Sequence, residues 1–268
     1  MDELEKLVTA VLASPKYQHI SPDLVQRIGT RELTTRRNAK EALKATKNKL
    51  HQVGGAYFEA KIDYERALAR LRETHDDADA FRATCRDLMR RHASTRERLP
   101  ILDEFYQTVL AHLPPIHSVL DVACGLNVLT WPWLPLSPDT HYYACDIYGD
   151  MIAFVSDVMQ IAGISGAAEV RDVVSEPPAR PVDLVLLLKL LPVLEQVEKT
   201  AVSHLLDTLN ARYLLISFPV ASLGGRSKGM AANYEAQFET WAAGRNWHVQ
   251  RFSFATELAF LVQQTNTP

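Results

Sequence analysis

The chain has 268 residues, 47% hydrophobic and 23% charged, a globular composition long enough for one large domain or a domain with a smaller attachment. A net charge of −3 does not by itself suggest nucleic acid, no apolar run can span a bilayer, and the amino terminus carries no signal pattern, so a cytoplasmic protein without a membrane partner is expected. Cys85, Cys124 and Cys145 show no C-x-x-C spacing, which favours reduced thiols and no metal site.

The charge is unevenly spread. Residues 1–117 hold 20 Lys and Arg against 17 Asp and Glu, and residues 118–268 hold 9 against 15. Between Lys16 and Lys49 there are 9 basic and 3 acidic residues. A charge run is commonly a solvated face, but a basic module beside an acidic domain also suits phosphate binding.

Residues 1–75 read as a small helical domain, with 76–268 forming the rest. Leu4, Leu7, Val8, Val11 and Leu12 recur at helix spacing, and Pro15 ends that helix. Ser21-Pro22-Asp23 is a cap followed by proline at the first helical position. A third helix is predicted over 34–50, carrying Arg36, Arg37, Lys40, Lys44 and Lys47, four of which share a basic face by spacing. Gly54-Gly55-Ala56-Tyr57-Phe58 interrupts the helices, either as a turn or as an aromatic at a pocket mouth. A helix over 78–91 ends in basic residues. Ser94-x-x-Glu97 fits a capping box, which predicts a helix start there running to Leu113. Arg96 and Arg98 beside that start suit a carboxylate ligand.

From Ser118 onward strands and helices alternate, so a mostly parallel sheet is expected. Strands are predicted over 118–123, 141–145, 168–171, 182–188, 212–218, 248–253 and 257–262, the last two as an antiparallel hairpin. Helices are predicted over 148–162, 199–210 and 230–244, while Pro132 and Pro135 shorten any helix after the first strand. The first strand ends in Asp121-x-Ala123-Cys124-Gly125. A single glycine is too few for a dinucleotide fingerprint. D-x-A-x-G resembles instead the first motif of S-adenosyl-L-methionine (SAM) methyltransferases, and the seven-strand outline resembles their class I, Rossmann-like α/β fold.

Candidate site residues fall at strand ends, where open α/β sheets bind ligands. Asp146 can accept ribose hydroxyls, or cap the next helix. Asp172 can accept from an adenine amino group with Val173 as apolar wall, or serve as a turn aspartate. Lys189 is foreign to its apolar run and should emerge over a reaction site. The loop after the fifth strand carries Gly224, Gly225, Arg226 and Lys228, and reads as a solvated turn or as a flap on a nucleotide.

Four stretches carry a closer resemblance: His92 to Tyr106, Asp121 to Asn127, Leu186 to Glu195 and Ser222 to Met230. They resemble the aminoglycoside-resistance 16S rRNA methyltransferases, in the branch acting on N7 of guanine 1405. Val128 departs from that pattern, where relatives often carry proline. The resemblance implies SAM as cofactor, S-adenosyl-L-homocysteine as product, and 16S rRNA within the 30S subunit as partner. A monomer is expected, with DNA not a substrate. Tyr57, His92, Ala93, Ser94 and Arg98 would line the cofactor pocket, with Arg98 on the methionine carboxylate. Ala123 and Gly125 would pass beneath the cofactor, Asp146 would hold ribose, and Asp172 with Val173 adenine. Leu188 and Lys189 would border the methyl-transfer position, and Arg226 would secure the guanine. Arg36, Arg37, Lys40, Lys44, Lys47, Arg226 and Lys228 would contact rRNA. No general base is expected, because N7 of guanine carries no proton. Two alternatives remain: a small-molecule methyltransferase whose helical attachment is a lid, and a ribosome-binding protein that holds SAM without transferring methyl.

Overall fold

The computed structural model describes residues 1–55, 62–111, 113–220 and 229–265. The helices are α1 (Glu3–Leu12), α2 (Pro22–Thr35), α3 (Ala39–Leu50), α4 (Tyr64–Thr74), α5 (Ala78–Met89), α6 (Ala93–Arg98), α7 (Leu102–Leu110), α8 (Gly149–Ile161), α9 (Leu191–Val197), α10 (Ala201–Thr208) and α11 (Met230–Ala242). The strands are β1 (Ser118–Val122), β2 (His141–Asp146), β3 (Gly166–Val170), β4 (Val182–Leu188), β5 (Ala211–Pro219), β6 (Trp247–Ser253) and β7 (Glu257–Gln264). They form one seven-stranded sheet in the order β3-β2-β1-β4-β5-β7-β6. β1 to β5 pair in parallel, and β7 is antiparallel to both β5 and β6.

Alternation along each strand sends successive side chains to opposite faces. Val119, Tyr142, Leu184, Leu186 and Leu215 join one core, and Leu120, Val122, Val185, Leu187 and Leu214 join the other. The first core runs on through α5, α7 and α8 into Leu7, Val11, Leu24, Leu50 and Leu71 of the amino-terminal helices. The second is closed by α9, α10 and α11. The amino-terminal helices are also tied to the end of β2 by backbone bonds. Ser21 N–H donates to Ile147 O at 2.7 Å, and Gly149 N–H to His19 O at 2.7 Å. They flank an antiparallel bridge between Ile20 and Tyr148.

Two local expectations are corrected. The third helix begins at Ala39 and not at residue 34, because the Asn38 side chain caps the Glu41 N–H. Arg36 instead ends α2, where its Nε lies 2.6 Å from Glu32. Only Lys40, Lys44 and Lys47 of the expected basic face therefore share α3. The capping box at Ser94 does not form, because His92 occupies the N-cap position and Glu97 turns to Lys189. The single helix expected there is broken into α6, a 3-10 turn over Leu99–Ile101 that takes in Pro100, and α7. After β4, Leu191–Val197 forms a helix with Pro192 in its first turn, and its Leu191 and Leu194 are buried in the second core.

Candidate active site

A cavity opens at the carboxyl ends of β1, β2 and β4, the edge where open α/β sheets bind ligands. Two of its wall residues take left-handed backbone without being glycine: Ala123 at φ 54° and Lys189 at φ 61°. Such residues cost roughly 1–3 kcal/mol each and persist where the surrounding structure enforces them. Here Cys124 N–H is held by Cys145 O at 3.0 Å, and Lys189 N–H by Ser217 O at 2.9 Å. Both strands thus turn sharply as they reach the cavity floor. Gly125 follows at φ 52°, and a Cβ there would sit 2.8 Å from Cε1 of His92. The glycine lets the imidazole pack onto the turn. Burial first, and then Lys189 and Arg96, push the pKa of His92 down to about 4, so the ring is neutral near pH 7.

Asp121 lies beneath this turn. It accepts hydrogen bonds from the Tyr142 hydroxyl and, at 2.8 Å, from Nδ2 of Asn127. Burial pushes its pKa up to about 7, against those two donors and Arg98. Asp146 closes β2, with Oδ2 accepting from Gly125 N–H at 2.9 Å and Oδ1 from its neighbour Ile147 N–H at 2.6 Å. Burial pushes Asp146 up to about 6, with the N–H groups of Gly125, Ile147 and Tyr148 opposing. Three N–H groups face the four lone-pair positions of the carboxylate, so Asp146 keeps acceptor capacity for a ligand hydroxyl.

Asp172 sits two residues beyond β3, with Val173 buried beside it, and both line the cavity. The Asp172 carboxylate faces Arg27 of α2, with Nε to Oδ2 at 2.6 Å and Nη2 to Oδ1 at 3.2 Å. Leu24, also on α2, adds an apolar lining residue, and Gly54 lies against the Tyr148 ring. The amino-terminal helices thus supply part of the cavity wall.

The opposite end of the cavity is a buried charge network. Glu257, at the start of β7, is 0% exposed. It accepts from Arg98 Nη2 at 2.7 Å, from Arg98 Nε at 3.1 Å and from the Ser217 hydroxyl at 2.6 Å. Burial alone would raise the Glu257 carboxyl, but Arg98 and Lys189 outweigh it and hold the pKa below the usual glutamate value. Arg98 also donates to Oδ1 of Asn127 at 2.9 Å. Lys189 Nζ lies 2.9 Å from Glu97 Oε2, 3.1 Å from Ser94 O and 3.5 Å from Glu257 Oε2.

His92, Ser94, Arg98, Ala123, Asp146, Asp172, Val173, Leu188 and Lys189 are thus brought to one cavity. Ala93 and Gly125 lie behind that wall, Ala93 buried in α6 and Gly125 under the imidazole. Tyr57, Arg226 and Lys228 fall outside the described residues. Arg36, Arg37, Lys40 and Lys44 are exposed away from the cavity, while Lys47 is half-buried and donates to Ser14 Oγ at 2.9 Å. Sequence reasoning missed Arg27 and Glu257. Glu257 had a signal of the same kind as Asp121: a carboxylate opening the apolar run Leu258 to Val262 needs a buried partner. Arg27 had a weaker one, a cation one turn from Leu24 and next to Ile28 on the apolar stripe of α2.

Residues 13–261 match the ribosomal RNA methyltransferase (FmrO) family. The chain belongs to that family. Among relatives of this FmrO-family chain, a protein of Micromonospora echinospora named 16S rRNA (guanine(1405)-N(7))-methyltransferase is 37% identical over 267 residues, covering 98% of this chain and 97% of that protein. The solved structure of the 16S rRNA methyltransferase RmtF in complex with S-adenosyl-L-homocysteine superposes with TM-score 0.85 at 33% identity, covering 99% of this chain and 100% of that one. The 16S rRNA methylase RmtB gives 0.81 at 29% identity, covering 98% of each chain. The fold of this family member is the class I SAM-dependent methyltransferase fold, as expected from the sequence. Among the described residues, no helix is long and apolar enough to cross a membrane.

Proposed function

We propose that this FmrO-family protein transfers a methyl group from S-adenosyl-L-methionine to N7 of guanine 1405 of 16S rRNA, within the 30S subunit, and thereby confers aminoglycoside resistance. The observation that carries the reading is near full-length similarity to proteins named for that reaction, together with a cavity built to suit the cofactor. The fit rests on two carboxylates with acceptor capacity, Asp146 and Asp172, that line the cavity at strand ends.

In this reading Asp146 holds the ribose hydroxyls, and Asp172 with Val173 the adenine. Ala123 and Gly125 bring the backbone close beneath the cofactor. Arg98, fixed by Glu257, offers its edge to the methionine carboxylate. Leu188 and Lys189 border the transfer position, with Tyr57 on the pocket and Arg226 on the guanine. The cofactor supplies an electrophilic sulfonium methyl. N7 of guanine has an in-plane lone pair and no proton, so positioning supplies most of the rate. His92, whose pKa burial pushes down to about 4, is neutral near pH 7. Methylated N7 leaves the base cationic, which repels a cationic drug.

Residues 1–75 act as the docking module on the 30S subunit, with Arg36, Arg37, Lys40, Lys44, Lys47 and Lys228 on phosphates. The protein works as a cytoplasmic monomer on rRNA and not on DNA. Incubation with methyl-labelled cofactor and 30S subunits, followed by mapping of the modified base, tests the reading. Label at guanine 1405 is expected, and label elsewhere or none overturns it.

A further inference from the structure

Arg27 stands 145 residues from Asp172 in sequence, yet the two make a two-point contact at the cavity wall. The bond-by-bond inventory of Asp172 is informative. Oδ1 accepts from Arg27 Nη2 at 3.2 Å and from Val174 N–H at 3.2 Å. Oδ2 accepts from Arg27 Nε at 2.6 Å. A carboxylate oxygen offers two lone pairs, so among the described residues Oδ1 is filled and Oδ2 keeps one acceptor position. A planar guanidinium gripping both oxygens also fixes the plane of the carboxylate, which a point charge cannot do. Arg27 is itself steadied by Glu198, 3.6 Å from Nη1, at the carboxyl end of α9. The next turn of α2 is fastened to the same place, with Arg31 Nη1 donating to Val197 O at 3.3 Å.

We propose that Arg27 is the positioning residue for base selection in the cofactor site. By fixing the plane of the Asp172 carboxylate and leaving a single acceptor open, it aims that carboxylate's demand for an N–H donor at the purine 6-position. Adenine carries an amino group there. A 6-oxo purine presents a carbonyl, which would set an acceptor against an acceptor. This rests on the assignment of Asp172 to adenine made above, and adds that a side chain of the amino-terminal helices, not of the sheet, enforces the choice.

Titration calorimetry on the full chain tests it, with S-adenosyl-L-homocysteine and S-inosyl-L-homocysteine as the two probes. Wild type is expected to prefer the adenosyl compound by about tenfold or more, the range for a hydrogen bond to a charged group. Arg27→Met keeps the aliphatic stem, and is expected to lose affinity for the adenosyl compound while the two affinities converge. Arg27→Lys keeps the charge without the fork and is expected to fall between. A general loosening of the fold would weaken both ligands alike and leave the preference standing. That outcome overturns the inference, as does wild-type binding by Arg27→Met, or by Arg27→Lys should the Met variant fail to fold. A wild-type chain that binds neither probe overturns the proposed function itself, and this inference with it.

Discussion

The two ends of the cavity handle charge differently. At the β7 end, Arg98, Lys189, Glu97 and Glu257 satisfy one another within hydrogen-bond reach, with Arg98 1% and Glu257 0% exposed. At the β2–β3 end, Asp146 and Asp172 are held by backbone N–H groups and one arginine, and keep lone pairs unused. The first end is largely compensated before any ligand arrives, so it supplies a rigid frame that holds the Arg98 edge for the methionine carboxylate. The second is incomplete, so it supplies recognition. Buried ion pairs contribute little net stability but are costly to break, whereas an open acceptor gains only when a donor arrives.

Breaking the frame is the largest test. Glu257→Ala leaves two buried cations without their shared partner, and is expected to lose roughly 3–5 kcal/mol of stability by chemical denaturation. If the variant keeps its stability, the network is not a frame and the contrast fails.

At the other end Asp146→Asn should weaken S-adenosyl-L-homocysteine by roughly tenfold or more while sparing most of the stability. The pH dependence sharpens this. The Asp146 pKa is pushed up to about 6, so its ionised form is present above that value and lost below it. Wild-type affinity should hold at neutral pH and fall below pH 6, by at most about tenfold per unit for one proton. Asp121, pushed up to about 7, titrates nearby but faces Tyr142 and Asn127, so Asp146→Asn should flatten the fall below pH 6. An unchanged profile in the variant would assign the titration elsewhere. Stability runs the other way. Both aspartates have folded values above the ordinary range near 3.9, so their contribution is fully present below about pH 4 and is lost as pH rises through 6 and 7.

A smaller effect is expected between the two ends. Gly125→Ala places a Cβ at 2.8 Å from His92 in left-handed backbone, for a loss of about 1–2 kcal/mol in thermal unfolding. Smallest for the fold is Lys40→Ala with Lys44→Ala, both exposed on α3, which should change stability by under about 0.5 kcal/mol. Their effect belongs to docking: the salt dependence of 30S binding should flatten by roughly one counterion per lost phosphate contact.

The sheet was legible because its signal is local and repeated. The predicted strand over 182–188 matches β4 residue for residue, and the terminal hairpin was evident from two apolar runs a few residues apart. The strand-end carboxylates were legible too, since a charge ending an apolar strand needs a reason. What failed depended on partners far away in sequence. Ser94 and Glu97 had the spacing of a capping box, but Lys189, 92 residues on from Glu97, claims that glutamate. Arg36 had the spacing of the α3 face, but Asn38 offered a better cap and Glu32 a partner. Arg27 and Glu257 were missed for the same reason: their roles are set by Asp172 and Arg98, which no local pattern brings near.

The contrast between a closed and an open end is tested most directly by a crystal structure with S-adenosyl-L-homocysteine bound. The expected result has Asp146 on the ribose hydroxyls and Asp172 Oδ2 on the adenine amino group, with Arg27 still paired to Asp172 and Arg98 to Glu257. A ligand that leaves both aspartates without a contact, or that binds only by pulling Arg98 away from Glu257, contradicts it.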